Sequence, residues 1–484
     1  MMTIEFSHRY GNGSGSEIVR RVEALLALAE QMKSRFHSAR TEVPKPLLMS
    51  LLWGLAMTMS AAAENWPAWR GPEGDGICRE PNLPLHWGTN ENVRWRVALP
   101  GPGNSTPIVW DRRVYITQAV AEGNRRTVMC FDRRDGKLLW QAGTNAVAKD
   151  SGGSGNPPCT PSPVTDGKCV IAWFGSAGVF CFDMEGQELW RRDLGRQSHG
   201  WGYASSPVLY GDLCLLNFGP GERSFVIALD KHTGKTVWQY DVPPMAADAK
   251  WEDFGGDLKD WKRLGSPAMP EVTGSCATPV VVKTTEEDEL IVAIPLRLLA
   301  FAPKTGERLW SCEGLNTGAY SSPSFGEGVV AVTGSGLRNA AMVIRPGGRG
   351  DVTATRRLWH SSPPGSKSCI GSSVIARGHI YQVTAMGFAV CLDLQTGKTV
   401  WDERLAGSGA RNASWSSPVL AGNRLYVPNQ NADVFVLRTG PKFECLATNS
   451  IGGESMNASL AVSDGNIFLR SHKSLWCIGE ERKP

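Results

Sequence analysis

Short runs of β-branched and aromatic residues, each bounded by Gly, Asn or Asp, recur along most of this chain. Leu425-Tyr426-Val427 after Gly422-Asn423, and Ile380-Tyr381 after Arg377-Gly378, show the alternation of apolar and polar positions. Such runs, punctuated by turn residues, predict short antiparallel strands. A Ser/Thr-Pro precedes the first strand of most groups, at Thr106-Pro107, Ser162-Pro163, Ser206-Pro207, Thr278-Pro279, Ser322-Pro323 and Ser417-Pro418. Ser372-Ser373 and Ala458-Ser459 read as degenerate copies. Most groups close on the phrase Ala/Cys-x-Asp-x-x-Thr-Gly-Lys-x-x-Trp, clearest over Ala228–Trp238 and Cys391–Trp401 and nearly as clear over Cys130–Trp140.

The closing tryptophans set a period. From Trp95 the intervals to Trp140, Trp190, Trp238, Trp310, Trp359 and Trp401 are 45, 50, 48, 72, 49 and 42 residues. Self-similarity on this scale marks a repeat architecture, and four strands per copy, A to D, match one blade of a propeller. The Asp-x-x-Thr-Gly-Lys segment is the C–D hairpin, its Asp bonding turn amides and its Gly free to take positive φ. The Trp lies on strand D, where a large ring fills the gap between adjacent blades. Pro is tolerated at the first residue of strand A because no ladder amide is needed there.

Two strand-A signals follow Trp401, and the last group, through Ile467–Arg470 and Leu475–Ile478, ends without a strand D. Val93–Val97, around Trp95, has no blade of its own in front of it and supplies the missing strand. That closure leaves no bare sheet edge. The expectation is an all-β, eight-bladed propeller of four-stranded antiparallel blades over residues 92–484, closed by the N-terminal strand; seven blades is the alternative if one degenerate copy is not a blade.

Charge narrows the partners. The formal net charge is +4, and residues 64–484 carry only +2 of it. Nucleic acid and anionic membranes call for a basic stripe, so neither is expected as the main partner. Leu47–Met59 is a 13-residue apolar run after Lys45, followed by Ser60-Ala61-Ala62-Ala63. It is short for a bilayer span and ends in an Ala-x-Ala pattern, so residues 47–63 read as a secretory signal peptide. Residues 64–91 then form an N-terminal segment of an exported, periplasmic or extracellular monomer with no membrane segment in the mature chain. Residues 1–46 are an extension carrying an amphipathic pattern over Ser16–Arg40; since a signal peptide normally begins a protein, the expected true start lies near Val43.

Twelve cysteines in an exported chain invite disulfides. Cys130, Cys181 and Cys391, however, share a strand-C slot with Ala228 and Ala300, a small apolar site that suits a free thiol, and Cys477 reads likewise. Cys159, Cys276 and Cys369 lie at the starts of three A strands, and some of them are candidates to pair. There is no Cys-x-x-Cys, so no zinc or redox motif is expected.

The repeated phrase resembles the tryptophan-docking repeat of the pyrroloquinoline-quinone (PQQ)-like propellers, and the resemblance spans about Asn92–Cys477. That superfamily contains the quinoprotein dehydrogenases and a propeller lipoprotein of the bacterial outer-membrane assembly machine. The start Trp66-Pro-Ala-Trp69-Arg-Gly-Pro72, with Asp75-Gly76, is similar to secreted PQQ-like repeat proteins of planctomycete-type bacteria. The dehydrogenase branch implies PQQ over calcium, stacked on a Trp and capped by a disulfide between adjacent cysteines; this chain has no adjacent cysteines.

No Gly-x-Ser-x-Gly elbow, phosphate loop or His-Glu-x-x-His occurs. The A-strand starts gather Asn104, Thr160, Tyr203, Cys276, Tyr320, Cys369, Trp415 and Asn457, a polar and aromatic channel lining. His199-Gly-Trp201-Gly-Tyr203 puts a His and two aromatics on glycine-flexed backbone: a binding lip with His199 as a candidate general base, or a packing loop. The candidate mouth is thus Asn104, His199, Trp201, Tyr203, Tyr320, Trp415 and Asn457. The 72-residue interval hides an insertion at about Asp241–Ser275, with Trp251, Asp253, Asp257 and Trp261 as a candidate partner surface. The expected function is a non-catalytic scaffold with no cofactor, holding a protein, peptide or glycan. The alternative is a PQQ- and calcium-dependent alcohol or sugar oxidoreductase.

Overall fold

The computed structural model describes residues 64–480 except 81, 147–155, 198, 200, 222, 244–273, 316–318, 336–339, 362–367 and 410–412. Residues 1–63, with the amphipathic pattern and the apolar run, and the surface at Trp251, Asp253, Asp257 and Trp261 lie outside the described residues. Among the described residues, no helix is long and apolar enough to cross a membrane.

Among the described residues, eight sheets, each built on four antiparallel strands, follow one another along the chain. Blade one runs from Ile108–Trp110 to Leu138–Asn145, blade two from Val164–Thr165 to Glu188–Arg192 and blade three from Val208–Tyr210 to Thr236–Asp241. Blade four runs from Val280–Lys283 to Arg308–Glu313, blade five from Ser324–Gly326 to Arg357–Ser361 and blade six from Val374–Ala376 to Thr399–Arg404. Blade seven spans Val419–Ala421 to Cys445–Ser450. Blade eight has Ala461–Ser463, Asn466–Arg470 and Ser474–Ile478, and its fourth strand is Val93–Ala98, paired antiparallel to Ser474–Ile478. The eight-bladed architecture and its closure by the N-terminal strand are as expected; the seven-blade alternative is excluded.

The tryptophans do the docking. The indole N–H of Trp95, Trp140, Trp190, Trp238, Trp359 and Trp401 donates to a C–D turn carbonyl of the next blade, at 2.8–3.0 Å. The turn glycine lies flat against the ring: a Cβ on Gly186 would sit 2.7 Å from Trp140, and on Gly234 2.5 Å from Trp190, both at positive φ. The glycine of the repeat therefore makes the turn and also makes room for the previous blade's tryptophan.

Trp310 departs from the pattern. Its N–H donates to Glu289 Oε2 at 2.9 Å, within its own blade. Blade five has no Thr-Gly-Lys turn to receive it. The C–D connection of blade five instead lays Gly350–Asp351 parallel to Trp310–Ser311 as a fifth outer strand and continues into the short helix Thr353–Arg356. Glu289 is 1 % exposed, and burial holds its carboxyl above the usual range.

A second device closes the ring at its centre. The backbone N–H of Thr106 donates to Ser162 Oγ, that of Ser162 to Ser206 Oγ, of Ser206 to Thr278 Oγ1 and of Thr278 to Ser322 Oγ. The series continues through Ser372, Ser417 and Ser459 and returns from Ser459 N–H to Thr106 Oγ1. These are the Ser/Thr residues that open the A strands. Eight bonds of 2.8–3.1 Å thus link each A strand to the next, so the A strands are innermost.

The N-terminal segment plugs one end of the channel these strands enclose. Trp66 exchanges two 2.8 Å backbone bonds with Val109 of blade one, and Pro67 O accepts from Thr165 N–H of blade two. The Arg70 guanidinium reaches the carbonyls of Ser372 (3.1 Å) and Ser373 (2.5 Å) in blade six, diametrically opposite blade two. The chain from Trp66 to Arg70 therefore crosses the axis. Ile77–Cys78 then adds a parallel inner strand to blade seven at Leu420–Ala421, and Glu80 accepts from Asp464 and Gly465 N–H in the A–B turn of blade eight. Arg70 is 2 % exposed, and burial lowers its pKa to about 10.

None of the twelve cysteines is in a disulfide. Cys130, Cys181, Cys391 and Cys477 are buried, as their slot implies. The pairing considered for Cys159, Cys276 and Cys369 is corrected: the three belong to different blades, and none is in a disulfide.

Candidate functional site

The plug holds the end of the channel where the A strands finish; the candidate mouth is at their starts. Two residues before each hydroxyl of the central ring stands one residue of the mouth: Asn104, Thr160, Ala204, Cys276, Tyr320, Ile370, Trp415 and Asn457. From Thr160 to Asn457 each is partly exposed between buried neighbours, while Asn104 is 8 % exposed. Tyr203 and Cys369, expected in this lining, are instead one position earlier in the register. Both are buried, and the Tyr203 ring packs 4.9 Å from Trp173. Their places at the mouth are taken by Ala204 and Ile370.

The mouth divides chemically. On the side of blades eight, one and two the groups form a hydrogen-bonded arc: His472 Nε2 to Asn104 Oδ1 at 3.0 Å, Asn104 Nδ2 to Asn156 Oδ1 at 3.4 Å, and Thr160 Oγ1 to Asn156 Oδ1 at 2.8 Å. Asn156 Nδ2 then donates to Trp201 O at 2.6 Å, which ties the lip to the mouth. Beyond His472, Asn457 Oδ1 accepts from Gln430 Nε2 at 2.8 Å. On the far side, blades four to seven contribute Cys276, Tyr320, Ile370 and Trp415, a largely apolar and aromatic half. Burial pushes the Cys276 thiol up to about 12 and raises Tyr320, so both are neutral hydrogen-bonding groups at ordinary pH.

At the lip, Gly202 N–H closes a turn on His199 O at 2.8 Å, and Trp201 stands 62 % exposed at its tip. Met386, in the B–C turn of blade six, is 59 % exposed. Burial holds His199 below the ordinary imidazole range, so it is neutral at pH 7. Of the expected mouth residues, the structure brings Asn104 and the Trp201 backbone together through Asn156, puts Tyr320, Trp415 and Asn457 around the same opening, and withdraws Tyr203 into packing. Sequence reading missed Asn156, His472 and Gln430. None belongs to the repeated phrase, and the only signal for them was their place in the connections on the mouth side of the blades.

Arg470 stabilises the mouth from below. Fully buried, it donates to Ser105 O and Thr117 O at 3.4 and 2.9 Å and to Gln118 Oε1 at 2.6 Å, fixing the Gly103–Ser105 backbone beneath Asn104. A Cβ on Gly103 would overlap this guanidinium at Nη2.

This geometry has known relatives. A family model described as "Outer membrane protein assembly factor BamB" matches residues 87–215, 124–349 and 222–481, in overlapping copies that cover the ring. The chain belongs to this PQQ-like repeat family. Among solved structures it is similar to BamB from Moraxella catarrhalis, with 13 % identity, a TM-score of 0.54, and coverage of 80 % of this chain and 97 % of that one. It is also similar to the computationally designed Ika8 protein, with 13 % identity, a TM-score of 0.52, and coverage of 80 % and 99 %. At these identities the likeness is one of fold. Among curated proteins, quinohemoprotein alcohol dehydrogenase ADH-IIG of Pseudomonas putida is 30 % identical over 153 residues, 29 % of this chain and 20 % of that protein. The chain thus spans only a fifth of that relative.

Proposed function

We propose that this family member is an exported binding scaffold that holds a protein, peptide or glycan partner at the open channel mouth. The observation that carries the reading is the plug. Trp66–Arg70 crosses one end of the channel, which leaves the other end as the candidate mouth, where a neutral amide–hydroxyl arc faces an aromatic half. Neutral donors and acceptors beside aromatic faces suit a polar, uncharged chain with apolar flanks, the character of a sugar ring or an extended peptide. The family description, an outer-membrane assembly factor, supports a protein partner and an exported location.

The alternative, a quinone held over calcium, needs oxygen ligands that converge on one ion. Among the described residues no three His, Cys, Asp or Glu side chains stand close enough to hold a metal ion. The thiols nearest the mouth come from separate blades. On the proposed reading the mouth holds its partner without a redox step.

Glycan and peptide arrays probed with the purified protein test the proposal. The expected result is a defined set of ligands whose signal falls at least tenfold in Trp201→Ala and in Trp415→Ala, with folding retained. Ligands that bind both variants as they bind the parent protein contradict it.

A further inference from the structure

A second binding feature lies on the same face, away from the channel axis, and does not rest on the reading above. Between strand D of blade two and strands C and D of blade three is a cleft of about 240 Å³ lined by Arg192, Asp193, Gly195, Arg223, Phe225 and Thr236, among others. Two guanidiniums face it, and each is already fixed by the protein. Arg223 lies 4.6 Å over the Phe225 ring and donates Nη1 to Leu194 O at 3.2 Å. Arg192 donates Nη2 to Thr236 Oγ1 at 3.3 Å. Gly195 permits the approach: a Cβ there would come 3.2 Å from Arg223 Nη1, and its φ is +88°.

Each contact uses one nitrogen and leaves the remaining N–H groups of the fork available. Among the described residues, neither guanidinium has a carboxylate within ion-pair distance. Asp193 stands at the rim with its Oδ1 taken by Gly195 N–H at 2.7 Å, so the cleft carries a net charge of about +1. Arginine forks held in place by stacking and by a backbone carbonyl are preorganised for planar, multidentate contact with oxyanions. Phe225 and Ile227 behind them lower the local dielectric and strengthen that attraction.

We infer that the cleft between blades two and three is an oxyanion-binding site, built by Arg192 and Arg223 for a sulfate or phosphate group carried on a ligand. Gly195 lies four residues before His199, so a group held here sits on the loop that leads to the lip.

Isothermal titration at fixed ionic strength, with sodium chloride replaced stepwise, tests the inference with methyl sulfate, methyl phosphate and acetate as probes. The expected result is saturable binding of an ester oxyanion, at least tenfold tighter than acetate and weakened at least tenfold in Arg192→Gln. Arg223→Lys, which keeps the charge and loses the fork, weakens it as well. Preference for methyl sulfate at pH 8, where methyl phosphate is a dianion, identifies a sulfate ester as the natural group, and the reverse preference a phosphate. Circular dichroism and melting of both variants check that they fold. No saturable binding by any ester, or equal binding by the parent protein and a folded Arg192→Gln, overturns the inference.

Discussion

A chain that begins at Gly101 will not form a soluble monomer. Val93–Ala98 is the fourth strand of blade eight, and its loss strips Ser474–Ile478 of the ladder on its outer side. It also removes the Trp95 ring, which docks on Gly136 and donates to Arg133 O of blade one. The ring would then be open at one seam, with a bare, apolar strand edge that pairs with other copies. Size-exclusion chromatography of the truncated protein should show aggregates or swapped oligomers, with loss of a cooperative melting transition. A peptide spanning Asn92–Leu99, added during refolding, should restore part of the monomer. A truncated protein that stays monomeric and melts like the parent would show that the seam is not where the ring closes.

The second large effect is at the plug. Trp66 has no exposed surface and packs against Gly71, where a Cβ would lie 2.9 Å from the indole ring. Trp66→Ala removes a fully buried aromatic from a site with little room to collapse, at a cost of about 3–5 kcal/mol. The indole N–H of Trp66 has no partner among the described residues. Trp66→Phe therefore gives up no hydrogen bond and should cost far less. Thermal unfolding of the two variants checks the difference. Equal melting temperatures for Ala and Phe would mean that the segment is not packed into the channel end. With the plug loosened, Trp66→Ala should also increase protease cleavage within residues 64–80, a readout that separates local release from global loss of stability.

Much of the fold was legible because the repeat is itself the packing device. Trp and turn Gly touch across every regular seam, so the period of one is the period of the blades. Trp310 shows the limit: it ends a looser copy of the phrase in the same register as the other tryptophans, yet its partner is Glu289, because the receiving turn in the next blade has been replaced by the outer strand Gly350–Asp351. The residues of the central hydroxyl ring stand in the Ser/Thr-Pro signal, but strand and turn patterns alone do not say what those hydroxyls bond. The informative copies were the degenerate ones, Ser372 and Ser459, which keep the hydroxyl where Pro is absent.

The candidate site was less legible. Asn104, Tyr320, Trp415 and Asn457 share the register two residues before a ring hydroxyl, and that register, once known, picks out Ala204 and Ile370 over Tyr203 and Cys369. The register is set by the ring hydroxyls, whose partners lie 42 to 72 or more positions away, so no local pattern separates Ala204 from Tyr203 or Ile370 from Cys369. The plug was beyond reach for the same reason: Arg70 and Ser372 are 302 positions apart, and no local pattern links them.

Reconstitution with quinone tests the central claim, binding at the mouth without redox turnover, most directly. The purified protein is incubated with PQQ and Ca²⁺ and desalted, then examined for quinone absorbance and for dye reduction with a panel of alcohols and sugars. The expected result is no retained quinone and no dye reduction above that of the protein alone. Stoichiometric quinone with substrate-dependent dye reduction would contradict the scaffold reading and place the chain with the dehydrogenases.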